Sequence, residues 1–293
     1  MEDQELSITK KLITTRSLFD VFWTATAFLC MLCTVVPLFA VLFFVGYSGV
    51  RRIDYPLFTQ LSPPPGYSEG GIAHAILGTL LTVGIGSLIA IPIGIFAAIY
   101  LAEFSGNNKI AYWVRFTASV LSGVPSILIG VFIYGLLIAT KIIGFSAIAG
   151  GTALSVLMLP TITKTTDEAL QIVPQDLRWA ALGIGAYNYQ AVLGVILPAA
   201  APTIVTGITL AIARAAGETA PLLFTALYSN FWASNPPEGL IEPIATLSVL
   251  IYNFSVVPFE PQKQLAWSAS LILVFLVLIT SIASRLATRE KTH

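Results

Sequence analysis

Charge is what this sequence has least of: Asp, Glu, Lys and Arg make up 10% of its 293 residues, and acids and bases balance at a formal net charge of zero. Without a basic excess there is no electrostatic footprint for nucleic acid. Two histidines, His74 and His293, and two cysteines, Cys30 and Cys33, are too few and too scattered to build a metal cage. The Cys-x-x-Cys spacing falls inside an apolar run and lacks the strand–helix context of a redox motif. No Gly-Lys dipeptide occurs, so the chain has no phosphate-binding loop of the Walker type. If ATP drives this protein, another subunit binds it.

Hydrophobic residues, by contrast, reach 56%, and the mean hydropathy is +0.84, a balance that belongs to integral membrane proteins. Long charge-free runs predict an all-α membrane protein with six transmembrane helices, since a helix satisfies its own backbone in lipid. Residues 1–20 are polar and read as a retained cytoplasmic tail, and residues 21–50 as the first span. Residues 51–70, with Pro56 and the run Pro63-Pro64-Pro65-Gly66, read as an irregular external loop. Further spans are expected at 71–102, 116–140 with a kink at Gly123 and Pro125, 142–163, about 200–228 and 264–284, leaving a tail at 285–293. Lys141 and Gly144 mark a tight turn before the fourth of these.

Two stripes of small residues recur at every fourth position. Gly78, Thr82, Gly86, Ala90, Gly94 and Ala98 form one, and Thr203, Gly207, Ala211, Ala215 and Thr219 the other. Such stripes let neighbouring helices approach closely in a membrane. Between the fourth and fifth spans the chain turns polar, from Lys164 to Arg178. Pro174 followed by Asp176 is a helix-start signal and Gly183 or Gly185 a stop, with Leu177, Ala180, Ala181 and Ile184 on one face. This predicts a short amphipathic helix outside the membrane, either an ordinary surface helix or a docking element. Residues 229–264 form an outer piece that could be gate, docking surface for a binding protein or scaffold; within it 244–257 is short for a span and is expected to lie at the outer surface or dip partway.

Arg214 and Glu218 stand alone in the apolar fifth span: no charged residue occurs from 179 to 213 or from 219 to 237. A charge at the centre of a spanning helix costs roughly 2.5–3.5 kcal/mol on insertion scales, so such residues face a partner helix or an aqueous path. Four residues apart on a helix, they lie on one face and can pair, either as a self-neutralising structural pair or as part of a pathway. With the N-terminus inside, inner segments hold ten Lys and Arg and outer segments four, which orients both termini to the cytoplasm.

Ala180-Ala181, then Gly185, then Val195-Ile196-Leu197-Pro198 resemble the cytoplasmic signature loop of binding-protein-dependent ABC importer permeases. The family pattern is Glu-Ala-Ala, three residues, Gly, nine residues, Ile, one residue, Leu-Pro; here Trp179 stands for the Glu and Val195 for the Ile. Leu121-Ser122-Gly123-Val124-Pro125-Ser126, Leu159-Pro160 and the run Ala213 to Pro221 resemble, more narrowly, the PstA permease family of bacterial phosphate importers.

The resemblance implies a type I ABC importer permease fold over 71–284 and a coupling loop at 164–198 containing Leu177, Ala180, Ala181, Ile184, Gly185, Leu197 and Pro198. It also implies a multi-pass protein of the bacterial inner membrane, embedded in lipid. The implied partners are a PstC-like permease as heterodimer mate, a PstB-like ATPase dimer that binds ATP and Mg, and a PstS-like binding protein that delivers phosphate. This chain itself would bind no cofactor and catalyse no reaction. Arg214 would offer phosphate a transient cationic step, with Glu218 competing for it. Alternatives are a permease for sulfate or molybdate, a passive anion channel and, last, a membrane enzyme.

Overall fold

Inside the apolar runs, Pro37, Pro92, Pro160 and Pro202 leave their helices continuous, whereas Pro125 and Pro221, each with a glycine shortly upstream, stand at breaks. The computed structural model describes residues 15–106, 108–234 and 237–289, and among these every regular element is helical. In order they are α1 (Thr15–Gly49), α2 (Tyr55–Thr59), α3 (Ala73–Ile99), α4 (Lys109–Gly123), α5 (Ser126–Ile133) and α6 (Ala147–Ile172). Then come α7 (Gln175–Gly183), α8 (Asn188–Ala191), α9 (Leu197–Gly217), α10 (Ala220–Thr225), α11 (Leu247–Val256) and α12 (Glu260–Arg289). Of the expected tails, residues 1–14 and 290–293 lie outside the described residues.

The chain divides into two units, Met1–Tyr47 and Ser48–His293. In the first, α1 starts at Thr15, inside the stretch read as a tail, and passes Pro37 without interruption. The hydroxyls of Thr24, Thr26 and Thr34 donate back to the carbonyls of Asp20, Phe22 and Met31 at 2.8 Å, so each is satisfied within the helix.

Among the described residues five helices are long and apolar enough to cross a membrane, and α4 with the helix from Ser126 to Ile138 makes a sixth as a pair bent by 106°. Six spans therefore hold if the broken pair counts as one. The expected kink is a near right angle because Pro125 has no N–H for the Leu121 carbonyl and forces Val124 into extended backbone, ψ 129°. Pro92, Pro160 and Pro202 sit inside continuous helices. Pro198 follows a π-helical turn over Val192–Ile196, so the fifth span begins at Asn188 and not near residue 200. Leu197 and Pro198 are thus part of that span rather than of a loop.

The second unit is built around α6. Its buried residues cover most of its circumference, from Ala147, Gly150, Leu154 and Met158 to Ile162, Thr166 and Leu170. A helix so enclosed needs less hydropathy than one facing lipid, which is why α6 can carry Lys164, Asp167 and Glu168 in its last turns. The polar segment 164–172, read from sequence as a loop, continues the helix. All six members of the small-residue stripe on α3 are buried; Thr82, Gly86 and Gly94 meet α6, while Gly78 faces Ala245 ahead of α11. On α9, Gly207, Ala211 and Ala215 are buried while Thr203 is exposed.

The stripe gives a test by contrast. A Cβ at Gly78 would overlap the Ala245 carbonyl and press on Ile244, whereas one at Gly84 meets nothing within 4 Å. Gly78→Ala should destabilise the purified chain by about 1–3 kcal/mol through overpacking. Gly84→Ala should be neutral or stabilising by up to about 1 kcal/mol through helix propensity. Thermal unfolding in detergent reads both.

The segment 244–257 packs its first half into the second unit, while Tyr252, Ser255 and Val256 stay exposed. Leu247, Ser248, Val249 and Leu250 of α11 are buried against α3 and α12. The Leu247 N–H donates to Thr79 Oγ1 at 2.8 Å, so α3 caps the helix.

Candidate functional site

The sequence predicts Arg214 and Glu218 on one continuous helix. In the structure they flank a break: α9 ends at Gly217, Glu218 is extended with ψ 129°, and α10 starts at Ala220. Pro221 causes it, because it has no N–H to offer the Gly217 carbonyl four residues back. The pair forms across this corner. Arg214 Nε donates to Glu218 Oε1 at 3.3 Å, with side-chain exposures of 51% and 16%. Arg214 lies in the last turn of α9, where a cation also complements the helix dipole.

Two further elements support the corner. Ser248 Oγ, in the first turn of α11, donates to the Glu218 carbonyl at 2.8 Å and satisfies an acceptor that the break would leave unpaired. From the other side α5 packs on α10, where a Cβ at Gly130 would come 2.6 Å from Pro221 Cα. Only glycine lets the two backbones meet so closely. Three discontinuous helices, α5, α10 and α11, thus gather beside the charged pair. In membrane transporters such interrupted helices are where solute sites are built, since they bring polar backbone to bilayer depth.

The second group of expected residues surrounds α7. The helix runs from Gln175 to Gly183, with Pro174 before it and Gly185 after it at φ +90°, a backbone state that suits glycine. Leu177, Ala180, Ala181 and Ile184 do not form a buried face: Ala181 alone is buried, and Ile184 stands beyond the helix end with 88% exposure. Trp179 is 66% exposed, and the rings of Tyr187 and Tyr189 stack with centroids 6.1 Å apart. The short helix presents apolar and aromatic side chains outward.

Four ionic residues that the sequence reading used only for orientation, or not at all, organise this end of the molecule. Arg115 Nε donates to Asp167 Oδ2 at 3.0 Å, its Nη2 to the Leu101 carbonyl at 2.9 Å, and Gln171 Nε2 to Asp167 Oδ1 at 2.9 Å. Arg178 reaches Glu103 across 75 residues of sequence, Nη2 to Oε1 at 2.8 Å and Nε to Oε2 at 3.3 Å. Glu103 follows the apolar run of α3 and Arg178 closes the polar stretch before the fifth span; opposite charges bounding two apolar runs were the available signal. The two groups stay apart: the Arg214 corner and α7 share no residue.

Residues 90–291 match the model of the binding-protein-dependent transport system inner membrane component, a stretch that includes α7 and the Arg214 corner. The chain belongs to that family. Relatives of this permease family that it resembles include "Phosphate transport system permease protein PstA" of Yersinia pestis, 40% identical over 253 residues, 86% of this chain and 84% of the relative. "Phosphate transport system permease protein PstA 1" of Mycobacterium tuberculosis (strain ATCC 25618 / H37Rv) is 34% identical over 270 residues, 91% of this chain and 86% of the relative.

Among solved structures, the inward-facing MetNI methionine ABC transporter superposes with a TM-score of 0.57 at 21% identity, covering 76% of this chain and 95% of that one. A bacterial ABC transporter that imports the acidic polysaccharide alginate gives 0.60 at 15% identity, covering 95% of this chain and 100% of that one. These establish the fold. The permease is an all-α, multi-pass inner-membrane protein with the type I ABC importer architecture.

Proposed function

We propose that this chain is one of two permease subunits of an ATP-driven importer of inorganic phosphate, coupled to a separate ATPase dimer and fed by a phosphate-binding protein. The observation that carries the reading is the Arg214–Glu218 pair at the corner between α9 and α10, in a chain 34–40% identical to relatives named as phosphate permeases. A guanidinium offers an oxyanion two parallel donors, and Glu218 occupies that fork when no anion does. Because Arg214 is half exposed, their mutual attraction is worth only about 0–1 kcal/mol, so an incoming anion can displace the carboxylate.

The positive-inside count puts both termini and α7 on the cytoplasmic side, where ATP is. The exposed Trp179 and Ile184 then suit a groove of the ATPase, Gly185 ends the docking helix, and Leu197 and Pro198 anchor it to the fifth span. ATP and Mg belong to that ATPase.

The test is uptake of labelled phosphate into vesicles holding this chain with its partner permease, ATPase and binding protein, with sulfate as competitor. Uptake that requires ATP and ignores sulfate supports the reading. Competition by sulfate would reassign the substrate to another oxyanion, and uptake without ATP would make the chain a channel.

A further inference from the structure

Arg178 does more than close an ion pair. Its guanidinium makes four hydrogen bonds to three residues on two elements: Nε and Nη2 to the Glu103 carboxylate at 3.3 and 2.8 Å, Nη1 to the Val173 carbonyl and Nη2 to the Leu170 carbonyl, both at 2.7 Å. Four of its five donors are therefore engaged. Glu103 sits on the π-helical turn Tyr100–Phe104 that continues α3, and Leu170 and Val173 supply carbonyls in the last turn and cap of α6, where that of Leu170 also accepts the Val173 N–H at 3.4 Å. The side chains of Arg178 and Glu103 are only 15% and 10% exposed, so water screens them little.

We infer that Arg178 is the positioning residue through which α7 moves α3 and α6 together: a rigid planar fork, held on α7, grips the ends of both helices at once. The inference rests on the coupling role proposed for α7. The alternative is a clamp that merely stabilises the fold. The geometry favours transmission for a physical reason. The outward side of α7 is exposed apolar surface, so a force applied there must reach the spans through its inward contacts. Arg178 is the contact that joins α7 to two spanning helices simultaneously. A guanidinium loses little freedom on being fixed, and its bonds in one plane resist rotation as a unit. A lysine at this position would keep the charge but could not hold three partners in a fork.

The experiment uses the full importer in vesicles, comparing wild type with Glu103→Gln, Arg178→Gln and Arg178→Lys. Glu103→Gln is close to isosteric and leaves both carbonyl contacts of Arg178 in place. It should lower phosphate taken up per ATP hydrolysed by about tenfold, the equilibrium weight of one charge-assisted hydrogen bond, with hydrolysis within about twofold of wild type. Arg178→Gln should be as severe and Arg178→Lys intermediate. An unchanged ratio in Glu103→Gln would overturn the inference, and so would its failure to assemble, which would assign the pair to folding.

A second readout does not depend on the substrate. With Cys30 and Cys33 replaced by serine, Gly84→Cys places one thiol on α3 where nothing lies within 4 Å. Its labelling rate should differ between nucleotide-free and ATP-bound importer, and Glu103→Gln should abolish the difference. A difference that persists would overturn the inference even if wild type transports no phosphate.

Discussion

Arg214→Gln is expected to lower ATP-dependent phosphate uptake by about ten- to a hundredfold while leaving assembly and basal ATP hydrolysis intact. The magnitude follows from a hydrogen bond to a charged group, worth about 1.5–3 kcal/mol, with each 1.36 kcal/mol a factor of ten. Intact assembly follows from the few contacts Arg214 makes within this chain, a side chain 51% exposed with one bond to Glu218 at 3.3 Å. Ser248, Pro221 and Gly130 hold it instead. Arg214→Lys keeps the charge without the fork and should fall between wild type and glutamine. Glu218→Gln should act in the opposite sense on binding: with no competing carboxylate, phosphate stays longer on Arg214, so affinity rises and turnover falls. Undiminished uptake in an assembled Arg214→Gln importer would reduce the pair to a cap on α9.

The legibility of this site in the sequence has a clear boundary. Isolated charges in a charge-free run are conspicuous, so Arg214 and Glu218 were found, and their spacing of four predicted the pair. What the spacing could not carry was the corner between them. Proline is an unreliable breaker in spanning helices, where neighbours satisfy freed groups: Pro92 and Pro160 lie in unbroken helices, while Pro125 and Pro221 end theirs. The broken cases have glycine within four residues upstream, Gly123 and Gly217, and a second helix packed against the bend. That second condition is tertiary.

The same applies to 244–257. Its length argued against a span, correctly, but its burial depends on Thr79 of α3 and on α12, which local pattern does not report. For α7 the helix and its stop were readable from Pro174 and Gly185, and its orientation was not. Helical spacing of Leu177, Ala180, Ala181 and Ile184 normally marks a core face, yet here Ala181 alone is buried. The docking role proposed for α7 accounts for this, since a helix that meets another protein keeps apolar residues outward.

The Arg115–Asp167 brace should be strongly asymmetric to mutation, and the asymmetry separates its structural weight from its charge. Asp167 is 8% exposed, and its partners are Arg115 and Gln171. Arg115 has a side-chain exposure of 41% and a second acceptor in the Leu101 carbonyl. Removing the arginine strands a buried carboxylate on one amide donor, whereas removing the carboxylate leaves an arginine that water and Leu101 still serve. Buried pairs broken by losing one partner cost about 3–5 kcal/mol; discounting for the exposed arginine gives about 1–3 kcal/mol for Arg115→Leu. Asp167→Asn keeps one oxygen, for which Arg115 Nη2 and Gln171 Nε2 already compete at Oδ1, and sets an amide donor against Arg115 Nε; it loses one hydrogen bond and strands no charge, and should cost about 1 kcal/mol. The double variant Arg115→Leu with Asp167→Leu should recover most of the loss, since no charge is left without a partner. Thermal unfolding of the purified chain in detergent reads all three. Equal losses for the two single variants would mean that the pair is not desolvated as its geometry indicates. A double variant worse than Arg115→Leu would mean that packing around Asp167, and not its ionisation, holds α4 to α6.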